Sequence, residues 1–412
     1  MTAYRIKDVA RINRLALPED TDPGYAFKYI DISAVDGLGN VDVPNEHVTF
    51  ASAPSRARRL APPGAVIVST VRTYLRAIAV VPVNQDPLVF STGFAVLEAE
   101  PNVESRFLGY YCRSQPFIDD IVARSVGVSY PAINAGEIGD LAIPVPSLEE
   151  QRRIADFLDA ETARIDKLVR LRNEQAALIG EGIAAEAVDL TGRSHVRRGG
   201  GTAENVVHLR RAAKSTQTGS TPADLHDLSD GNAPGDCLPW YTPVAIDSWM
   251  CIAKAEKATR RNGAPIFPAG SVVITGIGES LGKVAYLNHV ATGNQQLTAI
   301  TPQVGVSGRF MAWQLWAAEQ EIREWAQYSR IRIINNDSLK SFPIYLPSST
   351  EQDRAVRTLD SHMARVRQMT DAFLRFQRLA EERRQALITA AVTGQFDVST
   401  AGGRNVTDGV SA

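Results

Sequence analysis

A run of residues beginning at Asn134 returns, without a gap, at Asn335. Asn134, Ile138, Leu141, Ile143, Pro146, Ser147, Glu150, Gln151, Arg153, Leu158 and Asp159 recur as Asn335, Leu339, Phe342, Ile344, Pro347, Ser348, Glu351, Gln352, Arg354, Leu359 and Asp360, each pair keeping the separation of Pro146 from Pro347. A duplication of so long a period implies two copies of one unit, each a globular block running into a long helix, and not a solenoid of short repeats. Two similar modules on one chain can touch two places on one partner.

The helices announce themselves by their starts. Ser147 with Glu150, and Ser348 with Glu351, fit the capping box Ser-x-x-Glu, in which each side chain satisfies an orphan amide of the first turn. Apolar residues follow at alternating spacings of three and four: Leu158, Ile165, Val169 and Ile179 in the first copy; Val356, Leu359, Met363, Val366, Phe373, Ala380 and Leu387 in the second. Such a narrow stripe is the seam of a coiled coil. On it the first copy has Thr162, Arg172 and Ala176 where the second has Met363, Phe373 and Gln377, a difference that favours the two helices pairing with each other. The expectation is an antiparallel pair, with Leu158, Ile165 and Val169 set against Leu359, Val366 and Phe373. Thr191-Gly192 and Thr393-Gly394 read as glycine C-caps. Gly180 and Gly182 predict a kink or an early end in the first helix, since each costs about 1 kcal/mol relative to Ala.

The blocks between the helices have a different texture. Val66-Ile-Val-Ser-Thr, Ala77-Ile-Ala-Val-Val and Phe94-Ala-Val-Leu are strand-like runs punctuated by turns at Pro62-Pro63-Gly64, Asp86-Pro87 and Gly127. The order repeats after residue 207. The stretch Gly64-Ala-Val-Ile-Val-Ser-Thr-Val-Arg-Thr-Tyr-Leu-Arg aligns with Gly270-Ser-Val-Val-Ile-Thr-Gly-Ile-Gly-Glu-Ser-Leu-Gly, and Phe107-Leu-Gly-Tyr-Tyr aligns with Phe310-Met-Ala-Trp-Gln. The resulting division is a first block over 1–146, a spacer helix over 147–192, a flexible basic linker over 193–206, a second block over 207–347, a second spacer helix over 348–398 and a disordered tail over 399–412.

A chain of 412 residues, 44% hydrophobic and 22% charged, can bury a core in each block. No apolar run approaches the roughly 18–20 residues that span a bilayer, and Met1-Thr-Ala-Tyr-Arg-Ile-Lys-Asp has no signal-like core, so a cytoplasmic location is expected. Cys112, Cys237 and Cys251 form no C-x-x-C pair and read as reduced structural thiols. The six histidines are scattered without a metal-ligand spacing. Thr275-Gly-Ile-Gly-Glu-Ser-Leu-Gly-Lys resembles a phosphate loop only superficially: Ile277 stands where the first glycine belongs, and Val284 follows Lys283. It reads as a glycine-rich turn between strands. No Asn/Asp-Pro-Pro-aromatic methyltransferase motif is present, and no catalytic constellation emerges.

The stretch from Asn134 to Asp159, Asn-Ala-Gly-Glu-Ile-Gly-Asp-Leu-Ala-Ile-Pro-Val-Pro-Ser-Leu-Glu-Glu-Gln-Arg-Arg-Ile-Ala-Asp-Phe-Leu-Asp, resembles the junction of recognition domain and helix in specificity (S) subunits of type I restriction-modification systems. The copy at Asn335–Asp360 is similar, and Glu382-Arg-Arg-Gln-Ala-Leu-Ile-Thr-Ala-Ala-Val-Thr-Gly-Gln-Phe is similar to that family's closing helix. The resemblance implies an α+β fold: two α/β target recognition domains alternating with two long helices paired as an antiparallel coiled coil, in an internal pseudo-two-fold repeat. It implies a non-catalytic subunit that reads a bipartite double-stranded DNA target, one half-site per recognition domain. Two methyltransferase subunits would dock on it and motor-nuclease restriction subunits would join. S-adenosylmethionine, ATP and Mg2+ are then expected on the partner subunits and none in this chain. A different class of function, a protein-interaction scaffold with duplicated binding domains on a coiled-coil stalk, is also compatible with the composition, as is an S subunit serving a combined cutting-and-modifying enzyme.

For a DNA reader the candidates are polar and basic clusters, since Lys and Arg neutralise phosphates while Arg, Asn, Gln, Ser and Thr reach base edges. In the first block these are Arg56, Arg58, Arg59, Ser69, Thr70, Arg72, Tyr74, Arg76, Ser129 and Tyr130. In the second they are Lys214, Thr216, Gln217, Thr218, Ser220, Lys257, Arg260, Arg261, Lys283, Asn294, Gln295, Gln296, Arg330 and Arg332.

Overall fold

In the computed structural model of the protein, residues 2–127, 130–197, 205–228, 235–328 and 331–400 are described. The chain forms two compact units, and they do not follow the sequential blocks. One comprises Met1–Leu171 with Leu374–Ala412, the other Arg172–Phe373, so each takes half of each long helix.

The first unit is built around Val66–Ser69, a strand buried along its whole length. It lies in a four-stranded antiparallel sheet ordered Ala10–Ile12, Phe94–Ala99, Val66–Ser69, Ile78–Val80. Successive side chains of a strand point to opposite faces, and both faces are covered here. Val66 and Val68 enter a core with Phe107, Leu108 and Tyr111 of the helix Ser105–Cys112. Ile67 enters a second core with Ile30 and Phe90, which belong to a five-stranded sheet whose strands Ala26–Ile30 and Leu88–Ser91 run parallel. The second unit repeats the plan: Val272 and Ile274 face Trp313 and Leu315 of the helix Gly308–Ala317, while Val273 faces Tyr241 and Phe267. Its second sheet again contains a parallel pair, Cys237–Tyr241 with Thr292–Gly293. In both units a short first strand returns to pair with the strand that precedes the long helix, Thr2–Arg5 with Ala142–Val145 and Val206–His208 with Pro343–Tyr345.

The long helices run Leu148–Leu190 and Ser349–Thr393. At each start one arm of the capping pair is formed: Ser147 Oγ accepts from the Glu150 amide at 3.3 Å, and the Glu351 carboxylate accepts from the Ser348 amide at 3.1 Å. Each ends at a left-handed glycine, Gly192 (φ 71°) and Gly394 (φ 75°), as glycine C-caps require.

The pairing within each unit is antiparallel. In the first, Leu158 and Ile165 share a core with Ala380, Leu387, Ile388 and Val392, Phe157 meets Phe396, and Asp166 is ion-paired with Arg384. In the second, Ile179 and Ile183 pack with Met363 and Val366, and Glu186 lies 2.6 Å from His362. This corrects the expected partnership: the Leu158, Ile165, Val169 stripe packs on the C-terminal part of the second helix, and Leu359, Met363 and Val366 pack on the C-terminal part of the first. Antiparallel copies run past one another, so equivalent residues meet only where the directions cross, as Arg172 does over the ring of Phe373 at 5.9 Å.

Two further expectations are corrected. The first helix does not stop at Gly180 or Gly182; a Cβ on Gly180 would lie 3.4 Å from Trp249, so the small residue seats an indole that itself stacks on Trp316. The segment after Gly192 is not a flexible linker at its start: Arg193–Arg197 is a short helix, and the fully buried Arg193 is ion-paired with Glu321 and donates to the Pro343 carbonyl at 2.6 Å. The expected linker beyond Arg197, as far as residue 204, and the expected tail beyond Thr400 lie outside the described residues. Among the described residues, no helix is long and apolar enough to cross a membrane.

Candidate nucleic-acid interface

The repeated signature is a joint between block and helix. Gln151 is fully buried at the start of the first helix; its carbonyl accepts from the Glu104 amide at 2.8 Å and its amide donates to the Pro146 carbonyl at 2.9 Å. Gln352 does the same in the second copy, accepting from the Ser307 amide and donating to the Pro347 carbonyl, each at 2.9 Å. About two turns further on, Asp159 accepts from Arg106 and from the Tyr110 hydroxyl at 2.7 Å, and Asp360 accepts from Arg309 at 2.9 Å and the Trp313 indole at 2.8 Å. Burial pushes the Tyr110 hydroxyl up to about 12, so it stays a donor. Asn134 and Asn335 cap the short helices that lead into the joint, accepting from the amides of Glu137 at 2.9 Å and Ser338 at 2.8 Å.

At the turn that follows the central strand, the two units share a backbone and not a sequence. In the first unit the turn runs Thr70–Arg76, where Arg72 (φ 50°) and Arg76 (φ 55°) are left-handed and flank a tight turn at Thr73–Leu75. In the second it runs Gly276–Gly282, and the aligned residues Gly278 (φ 82°) and Gly282 (φ 90°) are left-handed. The amides of Arg72 and Gly278 donate to Pro131 O at 2.8 Å and Arg332 O at 3.2 Å; the carbonyls of Thr70 and Gly276 accept from Ile133 and Ile334, both at 2.9 Å. Val71 bridges to Ala132 as Ile277 bridges to Ile333. A left-handed backbone costs a non-glycine residue about 1 kcal/mol or more.

Around the first turn the structure gathers candidates that are far apart in sequence. Thr73 and Ser125 hydroxyls lie 3.0 Å apart, Thr70 donates to Gly93 O at 2.9 Å, and the amide of Thr92 bonds the carbonyl of Arg56. Tyr74 (57% exposed) and Tyr130 (65%) project outward, and the Arg72 guanidinium lies over the Tyr130 ring at 5.0 Å. Arg76 is turned inward to Gln115 Oε1 at 3.2 Å. Arg56 is exposed and 4.0 Å from Asp31, Arg58 lies over Phe50 at 4.5 Å, and Arg59 is half-buried. Ser69 is a correction: it is buried, its hydroxyl donating to Val71 O at 2.6 Å, so it shapes the turn from within. Ser129 lies outside the described residues.

Around the second turn, Gly276 N donates to Gln296 O at 2.8 Å, Thr221 donates to Gln295 at 2.7 Å, and Asn336 donates to Thr218 at 3.2 Å. Gln217, Gln295 and Arg332 are exposed, and Ser220 and Lys283 are half-buried. Asn294 is a second correction: it is buried, and its amide donates to Gln296 at 2.9 Å. Thr216 is half-buried and its hydroxyl is sealed from solvent. Lys214 sits at the far end of its strand from Thr218, and Lys257, Arg260 and Arg261 are exposed on or beside the second sheet, away from the turn's hydrogen bonds. There Asp224 accepts from Thr259 and the Arg260 amide, which hold its carboxyl below the ordinary range. Arg330 lies outside the described residues.

The turn in the second unit leads into the strand Val284–Tyr286 and not into a helix, so it lacks the helix N-terminus that a phosphate loop uses. Among the described residues no group of three or more His, Cys, Asp or Glu could hold a metal ion. What sequence reading missed is the buried role of Gln151 and Gln352, and the left-handed sites, for which aligning Arg72 with Gly278 was the available signal.

The architecture is thus two mixed α/β units, each fixed to paired long helices and each exposing a polar turn. The chain belongs to the type I restriction modification DNA specificity domain family, whose profile matches residues 1–176 and 214–370. Its fold is similar to a chain solved in work on complex assembly and conformational transition of the type I R-M system (TM-score 0.76, 25% identity, covering 96% of this chain and 98% of that one). It is also similar to the HsdS subunit from Thermoanaerobacter tengcongensis (TM-score 0.53, 25% identity, covering 96% and 97%). No curated protein sequence matches the chain.

Proposed function

We propose that this chain selects the DNA sequence on which a type I restriction-modification complex acts, each unit reading one half of a bipartite target. The observation that carries the reading is that one turn backbone is built twice, with the same hydrogen bonds and different side chains. A scaffold that presents different residues from one geometry suits two readers of unlike half-sites. Base-edge contacts from these turns supply specificity and Lys/Arg contacts to phosphate supply salt-dependent affinity. The chain itself is non-catalytic; methyl transfer from S-adenosylmethionine belongs to methyltransferase subunits docked on it, and ATP- and Mg2+-dependent work to restriction subunits.

Genome-wide mapping of adenine methylation in cells with and without this chain tests the reading. A motif of two short half-sites separated by a fixed gap should appear only when the chain is present. Identical methylomes in the two strains, with the partner subunits expressed, would refute it, as would methyl transfer or ATP hydrolysis by the purified single chain.

A further inference from the structure

Four non-glycine residues among those described adopt a left-handed backbone: Asn13, Arg72, Arg76 and Met250. Three of them have evident structural uses. Asn13 accepts from the Val96 amide through its side chain at 2.9 Å. Met250 is buried, 1% exposed, in the helix-side core of its unit. Arg76 donates to Gln115. Arg72 is exposed, and among the described residues its guanidinium has no ion pair and no hydrogen bond, only the exposed ring of Tyr130.

The turn does not need an arginine there, because the second unit builds the same backbone with Gly278. An unfavourable backbone kept for a side chain with no hydrogen-bond partner among the described residues is an outlier from which a functional role can be inferred. The chemistry on offer is specific. A guanidinium lying over an aromatic ring loses rotamer freedom before it binds anything, while its in-plane N–H edge remains open for a bidentate contact. In the major groove the edge that matches such a fork is guanine O6 and N7.

Resting on the DNA-reading function proposed above, we infer that Arg72, braced on Tyr130, is the specificity-determining side chain of the first unit's turn and reads a guanine in that unit's half-site. Arg76 is a positioning residue that ties the turn to the helix Gln115–Arg124. The second unit, with Gly278 at the matching place, reads its half-site with other residues.

The test uses the chain assembled with its methyltransferase partner. Arg72→Gly keeps the backbone and removes the guanidinium; Arg72→Lys keeps the charge and removes the fork. Affinity is measured on duplexes carrying each base at each position of both half-sites, across a salt series, beside the thermal midpoint of each variant. Arg72→Gly should melt no lower than the parent, lose roughly 10- to 100-fold in affinity for the first half-site, and lose discrimination at one guanine while the second half-site is read as before. Arg72→Lys should lose the same discrimination and keep the salt dependence. An equal loss on all sequences with a salt slope reduced by about one would make Arg72 a phosphate contact, and unchanged discrimination would leave it no role; either overturns the inference. Should Arg72→Gly assemble poorly, Arg72→Asn, which also tolerates the left-handed region, serves in its place. A parent complex without any half-site preference would instead overturn the function on which the inference rests.

Discussion

At the joints between block and helix the two copies are nearly interchangeable; at the turns after their central strands they are not. Gln151 and Gln352 make the same two kinds of hydrogen bond, and Asp159 and Asp360 hold an arginine and an aromatic donor alike. The turns share left-handed positions and backbone partners, yet one carries Arg, Tyr and Arg where the other carries Gly, Ser and Gly. The duplicated residues thus serve assembly of the unit, and the unlike residues sit where a ligand can meet them. A residue's recurrence in both halves is here a mark of architecture, and its failure to recur is the better pointer to specificity.

The largest effect should come from the shared architecture. Leu387 in the first unit and Leu359 in the second are buried seam residues. Leu387→Asp and Leu359→Asp should each cost on the order of 3–5 kcal/mol through an unpaired buried charge, with amide-exchange protection falling first in the unit that holds the substitution. Equal loss of protection in both units from either change would show that the division into two units has no energetic meaning. Next come Gln151→Ala and Gln352→Ala. Each strands a backbone amide and a backbone carbonyl at a largely half-buried joint, and each should lower stability by about 1–3 kcal/mol in denaturant unfolding; costs that differ widely would mean the joints are copies in shape only.

The turns predict smaller and opposite changes. A Cβ on Gly278 would meet no atom within 4 Å, so Gly278→Ala isolates backbone strain and should cost about 1 kcal/mol. Arg72→Gly should gain less than that, because glycine also loosens the unfolded chain. Differential scanning calorimetry of the pair decides the matter: opposite signs are expected, and a loss in both would remove the strain argument. The smallest effect is one of pH. Hydrogen bonds from the Ser348 hydroxyl and amide hold the Glu351 carboxyl below its ordinary 4.5. A group lowered on folding contributes stability above its unfolded value and loses it as pH falls through the folded one. Glu351→Gln should therefore flatten the stability profile slightly below pH 4.5 and leave its shape at pH 7 unaltered.

Much of the fold was legible because periodicity reports burial. The β-branched runs at Val66–Ser69 and Val272–Thr275, the capping serines and the terminal glycines all locate elements through local chemistry. Direction and partnership are not local. A seam of Leu158 and Ile165 is the same string whichever part of another helix it meets, so the pairing with Leu387 and Ile388 had to come from the fold. Gly180 predicted a break because propensity knows nothing of Trp249, and the run after Gly192 looked loose because its composition hides the ion pair of Arg193 with Glu321. For the candidate interface, residue type named Arg72, Tyr74 and Tyr130 but equally Ser69 and Asn294, which are buried. Polarity cannot distinguish a hydroxyl that faces water from one that fastens a turn.

The division of the helices between the units has a consequence for synthesis. The second unit is one uninterrupted stretch, Arg172–Phe373, whereas the first needs Leu374 and beyond to complete the core around Ile154, Leu158 and Ile165. On a ribosome the N-terminal block emerges first, but its apolar helix face must wait for Ala380, Leu387 and Val392 before it is covered. Loop closure over so long a separation is slow and leaves apolar surface exposed meanwhile. The central stretch Arg172–Phe373 is thus the first that can close, and the unit that begins before it is finished last, when Leu374 and the residues after it arrive.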